Sequence, residues 1–167
     1  MDSFPAIEID KVKAWDFRLA NINTSECLNV AYGVDANYLD GVGVSITSIV
    51  LNNRHINLDF YIIADVYNDG FFQKIAKLAE QNQLRITLYR INTDKLQCLP
   101  CTQVWSRAMY FRLFAFQLLG LTLDRLLYLD ADVVCKGDIS QLLHLGLNGA
   151  VAAVVKDVEP MQEKAVS

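Results

Sequence analysis

Arg125-Leu126-Leu127-Tyr128-Leu129 is a short, nearly continuous apolar run that stops on Asp130-Ala131-Asp132. It has the pattern of a central parallel strand buried on both faces, and parallel strands need crossover helices to cover those faces. The rest of the chain supplies the alternation. Residues 28–32 and 58–64 read as strands, and residues 84–91 alternate as a third. Between them, residues 38–51 place Val42, Ile46, Ile49 and Val50 at helical spacing before Asn52-Asn53 stops the pattern. Asn68 is placed to cap a helix carrying Phe72, Ile75, Ala76, Leu78 and Ala79. Residues 104–119 read as a helix with Gly120 just past its end. A turn at Lys136-Gly137-Asp138, a short helix from Ser140 and a last strand over residues 150–155 complete the order. This alternation predicts an α/β fold with an open, mostly parallel sheet. Residues 1–26 keep no sustained period and read as an N-terminal extension with one short helix over residues 12–19.

A chain of 167 residues, 53% of them hydrophobic, suits one compact domain whose core needs no disulfide staples. Its net charge of −4 and pI of about 5.1 argue against a nucleic-acid binder held by a basic stripe. Met1-Asp2-Ser3-Phe4-Pro5 has no basic start and no apolar run follows it, so an export leader is not expected. No stretch reaches the roughly 18 apolar residues of a membrane span. Cys27, Cys98, Cys101 and Cys135 are then expected as reduced thiols. Cys98-Leu99-Pro100-Cys101 matches a redox C-x-x-C, but two incidental loop thiols are the simpler reading, and no Cys/His pair completes a zinc site.

Asp130 is the first polar residue after the apolar run, so it belongs at the carboxyl end of a strand, where open α/β sheets bind ligands. In extended backbone, Asp130 and Asp132 point to one side and repel unless a cation lies between them. Mg²⁺ or Mn²⁺, held by one or two carboxylates and a substrate phosphate, suits that place. Two enzyme classes use such a pair. A haloacid-dehalogenase-like phosphatase would employ Asp130 as nucleophile, and Leu129-Asp130-Ala131-Asp132-Val133-Val134 fits its string. A glycosyltransferase would use both carboxylates on a metal that neutralises the departing diphosphate. The phosphatase motif opens its fold, whereas here about three strand–helix units come first, and the order favours the glycosyltransferase.

Several segments together resemble glycosyltransferase family 8, in particular its bacterial lipopolysaccharide core glucosyl- and galactosyltransferases. They are Leu28-Asn29-Val30-Ala31-Tyr32-Gly33-Val34-Asp35-Ala36-Asn37-Tyr38, Val104-Trp105-Ser106 leading into Tyr110-Phe111-Arg112-Leu113, and Leu127-Tyr128-Leu129-Asp130-Ala131-Asp132-Val133. The resemblance covers the chain from about Cys27 onward. It implies a Rossmann-like GT-A fold, with residues 27–167 as its nucleotide-sugar-binding part, and retaining transfer of glucose or galactose from a UDP-sugar. By position it implies that Gly33, Val34, Asp35, Ala36, Asn37 and Tyr38 hold UDP. Asp35 and Asn37 would meet uracil and ribose, and Tyr38 would stack on the uracil ring. Asp130 and Asp132 would bind the metal, the backbone at Ala131 would meet the ribose, and Arg112 would act at the sugar-diphosphate. The implied acceptor is the lipopolysaccharide core at the cytoplasmic face of the bacterial inner membrane, with peripheral membrane association. A UDP-binding module without catalysis remains an alternative. Read alone, Asp35 and Asn37 suit a turn, Tyr38 a packed helix start and Arg112 an exposed helix charge.

Three features of the family are absent. These are an Asn-x-Gly strand segment, an acidic or amide segment near the transferred sugar, and a late His-x-x-Gly-x-x-Lys-Pro-Trp. His55 and His144 are the only histidines, and neither has that neighbourhood. The expected fold is therefore incomplete at its C-terminus, lacking the C-terminal half of the enzyme, and the expected affinity for UDP-sugar is weak.

Overall fold

The computed structural model describes residues 7–19, 26–101 and 106–155. Five strands, β1 (Ile9–Asp16), β2 (Cys27–Val34), β3 (Asn57–Ala64), β4 (Arg85–Ile91) and β5 (Leu127–Tyr128), form one sheet in the order β1-β4-β3-β2-β5. The β4-β3, β3-β2 and β2-β5 pairs are parallel, and β1 lies antiparallel on β4. Three helices complete the fold: α1 (Leu39–Asn52), α2 (Asp69–Asn82) and α3 (Phe111–Leu119). The mostly parallel α/β sheet expected from the alternation is present.

Strand periodicity divides the core in two. Val30, Tyr32, Phe60, Ile62, Ile86 and Leu88 face α1 and α2, where they meet Val42, Ile46, Ile49, Phe71, Ile75 and Ala79. Ala31, Tyr61, Ile63 and Ile91 face the opposite side and pack on Phe111, Phe114, Ala115 and Leu119 of α3. With helices on both sides, β2 and β3 read as nearly continuous apolar runs rather than as an alternation. Asn68 caps α2 as expected, its Oδ1 accepting from Phe71 N–H at 2.8 Å.

Four local expectations need correction. Residues 12–19 are not a helix, because residues 9–16 form the edge strand β1. A register shift between Lys11 and Lys13 breaks its alternation, so Val12 and Trp15 join one core while Ile9 joins the other. Residues 104 and 105 lie outside the described residues. A 3₁₀ turn at Arg107–Tyr110 comes next, and α3 proper begins only at Phe111 and closes at Gly120. β5 is not buried on both faces: its ladder is two residues long, half-buried, and pairs on the β2 side alone among the described residues. Residues 150–155 form no strand either. Val151, Val154 and Val155 are exposed, and an extended apolar segment becomes a strand only when a neighbour takes its backbone hydrogen bonds.

At the amino ends of the parallel strands, Asp59 is buried between two arginines. Arg85 Nη2 lies 2.6 Å from its carboxylate and Arg18 Nη1 3.3 Å, while Arg18 also holds Asp16 at 2.5 Å. Cys27 sits in the same neighbourhood. Burial, with the Asp59 charge beside it, pushes its thiol up to about 12, whereas Cys98 and Cys101 are exposed. Thiolate is the reactive form. At pH 8 Cys27 is expected to alkylate far more slowly than Cys98 and Cys101, as counted by mass spectrometry of iodoacetamide-pulsed native protein. Equal labelling of Cys27 would show that this end of the sheet is open.

Candidate nucleotide and metal site

β2 and β5 run in parallel, the last residue of β5, Tyr128, pairing with Ala31, so the residues that follow them emerge toward one end of the sheet. A cleft of about 220 Å³ opens there. Gly33 and Val34 line it from the end of β2, Asp35 and Tyr38 from the turn that follows, Arg112 from α3, and Asp130, Ala131 and Asp132 from the segment after β5. Of the residues singled out in the sequence, Ala36 and Asn37 do not line this cleft.

Close backbone contact makes the cleft. Gly33 donates its N–H to the Tyr128 hydroxyl at 3.1 Å, and that hydroxyl also reaches Gly33 O at 3.4 Å. A Cβ on Gly33 would lie 2.7 Å from Phe111 Cβ and 2.8 Å from Tyr128 Oη. Gly33→Ala is therefore expected to cost about 1–3 kcal/mol through overpacking and to loosen the β2–β5 junction. Urea unfolding measures the first effect and UDP titration the second; unchanged stability would mean that α3 shifts freely.

Asp130 and Asp132 converge on the cleft, but not through the extended backbone expected. Val133 N–H donates to Asp130 O at 3.3 Å, closing a turn over residues 130–133. Several contacts from α1 fix this turn. A Cβ on Gly41 would stand 2.9 Å from Ala131 O, so the helix presses directly on the buried Ala131. Further on, Cys135 N–H donates to Ser48 Oγ at 2.9 Å and Cys135 O accepts from Asn52 Nδ2 at 3.1 Å. Asn53, fully buried, bonds Gly137 O at 3.2 Å and Ile139 N–H at 2.8 Å. The residues read in the sequence as a helix stop thus also pin the chain that leaves the acidic turn.

Asp35 serves as a turn former. One carboxylate oxygen accepts from Asn37 N–H and the other from Ser106 Oγ, each at 3.0 Å, capping the 3₁₀ turn Ala36–Tyr38. Tyr38 is not packed away; its side chain is more than half exposed at the rim. Arg112 is exposed as expected of a helix charge, yet it is engaged. Its Nη2 lies 3.1 Å from Asp130 Oδ1, and the guanidinium sits 5.4 Å from the centre of the Tyr128 ring. Burial pushes the Tyr128 phenol upward, so its hydroxyl stays protonated.

Ser106, Ala108, Met109 and Tyr128 also line the cleft and were not assigned by sequence reasoning. Tyr128 was within reach, since two residues before Asp130 on a strand is the same side. Among the described residues, no cluster of three or more His, Cys, Asp or Glu stands ready for a metal. The two carboxylates form a hard oxygen pair at an open cleft, and Asp130 already attracts a cation. That fits a divalent ion completed by ligand oxygens and water. A larger groove of about 700 Å³ lies between α1 and α2, lined by Leu39, Val44, Leu51, Phe71 and Leu78. It holds none of the predicted site residues. No helix among the described residues is long and apolar enough to cross a membrane.

The profile of glycosyl transferase family 8 matches residues 29–167. The chain is 39% identical to a lipopolysaccharide 1,2-glucosyltransferase of Escherichia coli, over 95% of this chain and 45% of that protein. It is 38% identical to a lipopolysaccharide 1,3-galactosyltransferase of Salmonella typhimurium, over 86% of this chain and 43% of that protein. Among solved structures, it superposes on the galactosyltransferase LgtC with a TM-score of 0.59 at 19% identity, over 69% of this chain and 41% of LgtC. The bifunctional glycosyltransferase WbbM gives 0.58 at 22% identity, over 78% of this chain and 23% of WbbM. These structural likenesses establish the GT-A-type fold. The chain spans less than half the length of the curated relatives it matches. The family match sets aside the phosphatase reading of Asp130, and the chain belongs to glycosyl transferase family 8.

Proposed function

We propose that this chain is the nucleotide-sugar- and metal-binding part of a retaining hexosyltransferase. It would move glucose or galactose from a UDP-sugar to the lipopolysaccharide core, at the cytoplasmic face of the bacterial inner membrane and in peripheral contact with it. The observation that carries the reading is the single cleft in which Gly33, Val34, Asp35 and Tyr38 face Arg112, Asp130, Ala131 and Asp132. The acceptor is taken from the relatives, which are lipopolysaccharide glucosyl- and galactosyltransferases.

Each residue has a physical task in this scheme. Tyr38 offers an exposed ring at the rim for the uracil to stack on, an interaction worth about 1–3 kcal/mol per base. Asp35 holds the 33–38 corner in shape, and Ala36 and Asn37 complete that corner against the base and ribose. Asp130 and Asp132 hold Mg²⁺ or Mn²⁺, with the Ala131 backbone at the ribose. The bound dication supplies neutralisation of charge on the departing diphosphate. Arg112 carries a permanent charge and a planar donor set suited to phosphate oxygens. Calorimetric titration of UDP with and without Mn²⁺ tests the reading. Binding that requires Mn²⁺ supports it, and absence of binding under both conditions refutes it.

A further inference from the structure

We infer that Arg112 couples cation binding to diphosphate binding, so that the site takes up the two together and does not retain a bare metal ion. The inference rests on the proposed metal site at Asp130 and Asp132. Its starting point is the contact of Arg112 Nη2 with Asp130 Oδ1 at 3.1 Å, a position that a divalent ion ligated by Asp130 would also claim. A guanidinium cannot lose its proton to make way, so it and the dication repel wherever both crowd the same carboxylate. The pair is open to solvent on both sides, with side-chain exposures of 44% and 58%, and an exposed pair of this kind breaks at small cost.

Arg112 has a second anchor in the cleft when the pair breaks. Its guanidinium rests against the Tyr128 ring, and the Tyr128 hydroxyl is bound to Gly33 at the end of β2. Displaced from Asp130, the guanidinium is thus left beside a cleft where the new negative charge is the nucleotide diphosphate, to which guanidinium binds in a charge-assisted fork. The sign of its effect then depends on what is bound. With metal alone, Arg112 opposes binding; with metal and diphosphate together, it favours binding. Those opposite signs amount to positive coupling, which by linkage is the same measured from either ligand.

The test is Mn²⁺ affinity, read from the free-ion electron paramagnetic resonance signal, with and without saturating UDP. The full chain, Arg112→Ala and Arg112→Lys are compared. In the wild-type chain UDP is expected to tighten Mn²⁺ binding by about tenfold or more, within the usual range of such couplings. In Arg112→Ala, Mn²⁺ alone is expected to bind about three- to tenfold more tightly, since one neighbouring positive charge is gone. The tightening by UDP should shrink by a similar factor, and Arg112→Lys should fall between. If Mn²⁺ alone binds too weakly to titrate, UDP affinity with and without Mn²⁺ yields the same coupling factor. An unchanged factor in Arg112→Ala, or an equal fall in both affinities as a purely structural residue would give, overturns the inference and leaves the metal site standing. Absence of Mn²⁺ binding by the wild-type chain with or without UDP overturns both.

Discussion

Replacing both carboxylates, Asp130→Asn with Asp132→Asn, is expected to abolish the Mn²⁺-dependent component of UDP binding, a loss of about tenfold or more in calorimetric affinity, equal to the coupling between the two ligands. The magnitude follows from the donor set. No cluster of three or more His, Cys, Asp or Glu exists among the described residues, so losing the pair leaves no ready-made alternative ligand set there. An amide keeps the shape and one neutral oxygen but loses the charge on which a hard dication depends. The fold should tolerate the change. Both side chains are exposed, and the acidic turn is held by the Asp130 O to Val133 N–H bond and by Ser48, Asn52 and Asn53, none of which uses a carboxylate. A thermal midpoint close to wild type with Mn²⁺-dependent binding gone is the expected combination. Retention of Mn²⁺-dependent binding by the double variant would remove the metal from this turn.

The second large effect lies at the opposite end of the sheet. Asp59→Ala is expected to lower unfolding free energy by about 3–5 kcal/mol, because truncating one partner strands the others in a poorly solvated site. Asp59 is 3% exposed and receives both Arg85 and Arg18, which sit on β4 and just after β1. It thus ties the antiparallel edge strand to the parallel sheet. Arg18 keeps Asp16 and Arg85 is partly solvated, which favours the lower end of the range. Asp16→Ala, on the exposed side of the same network, should cost less than about 1 kcal/mol. Urea unfolding of the two variants side by side checks the contrast. Equal small losses would show that the buried carboxylate is dispensable. Because Asp59 is at the amino ends of the strands, UDP binding by the folded Asp59→Ala protein should be unchanged.

The sequence by itself determined the repeating order of strands and helices, the cap at Asn68, and the placing of Asp130 at the end of a strand. These depend on short-range periodicity and on residues whose chemistry is local: a capping amide, an apolar run, a carboxylate directly after it. The resemblance added a family and a set of positions, of which Gly33, Val34, Asp35, Tyr38, Arg112, Asp130, Ala131 and Asp132 line one cleft. Tertiary structure decided what local pattern cannot carry. Residues 9–16 became a strand because β4 offers an edge, and the shift between Lys11 and Lys13 hid that from a reading of alternation. Residues 150–155 stayed irregular because no neighbour pairs with them among the described residues, although their composition suits a strand. The tie between Gly33 and Tyr128 spans 95 positions, and the bonds joining Asn52 and Asn53 to the chain that leaves the acidic turn span 83 to 86. Contacts at such separation exist only once the sheet has closed, and they set how far apart the corner at residues 33–38 and the acidic turn are held.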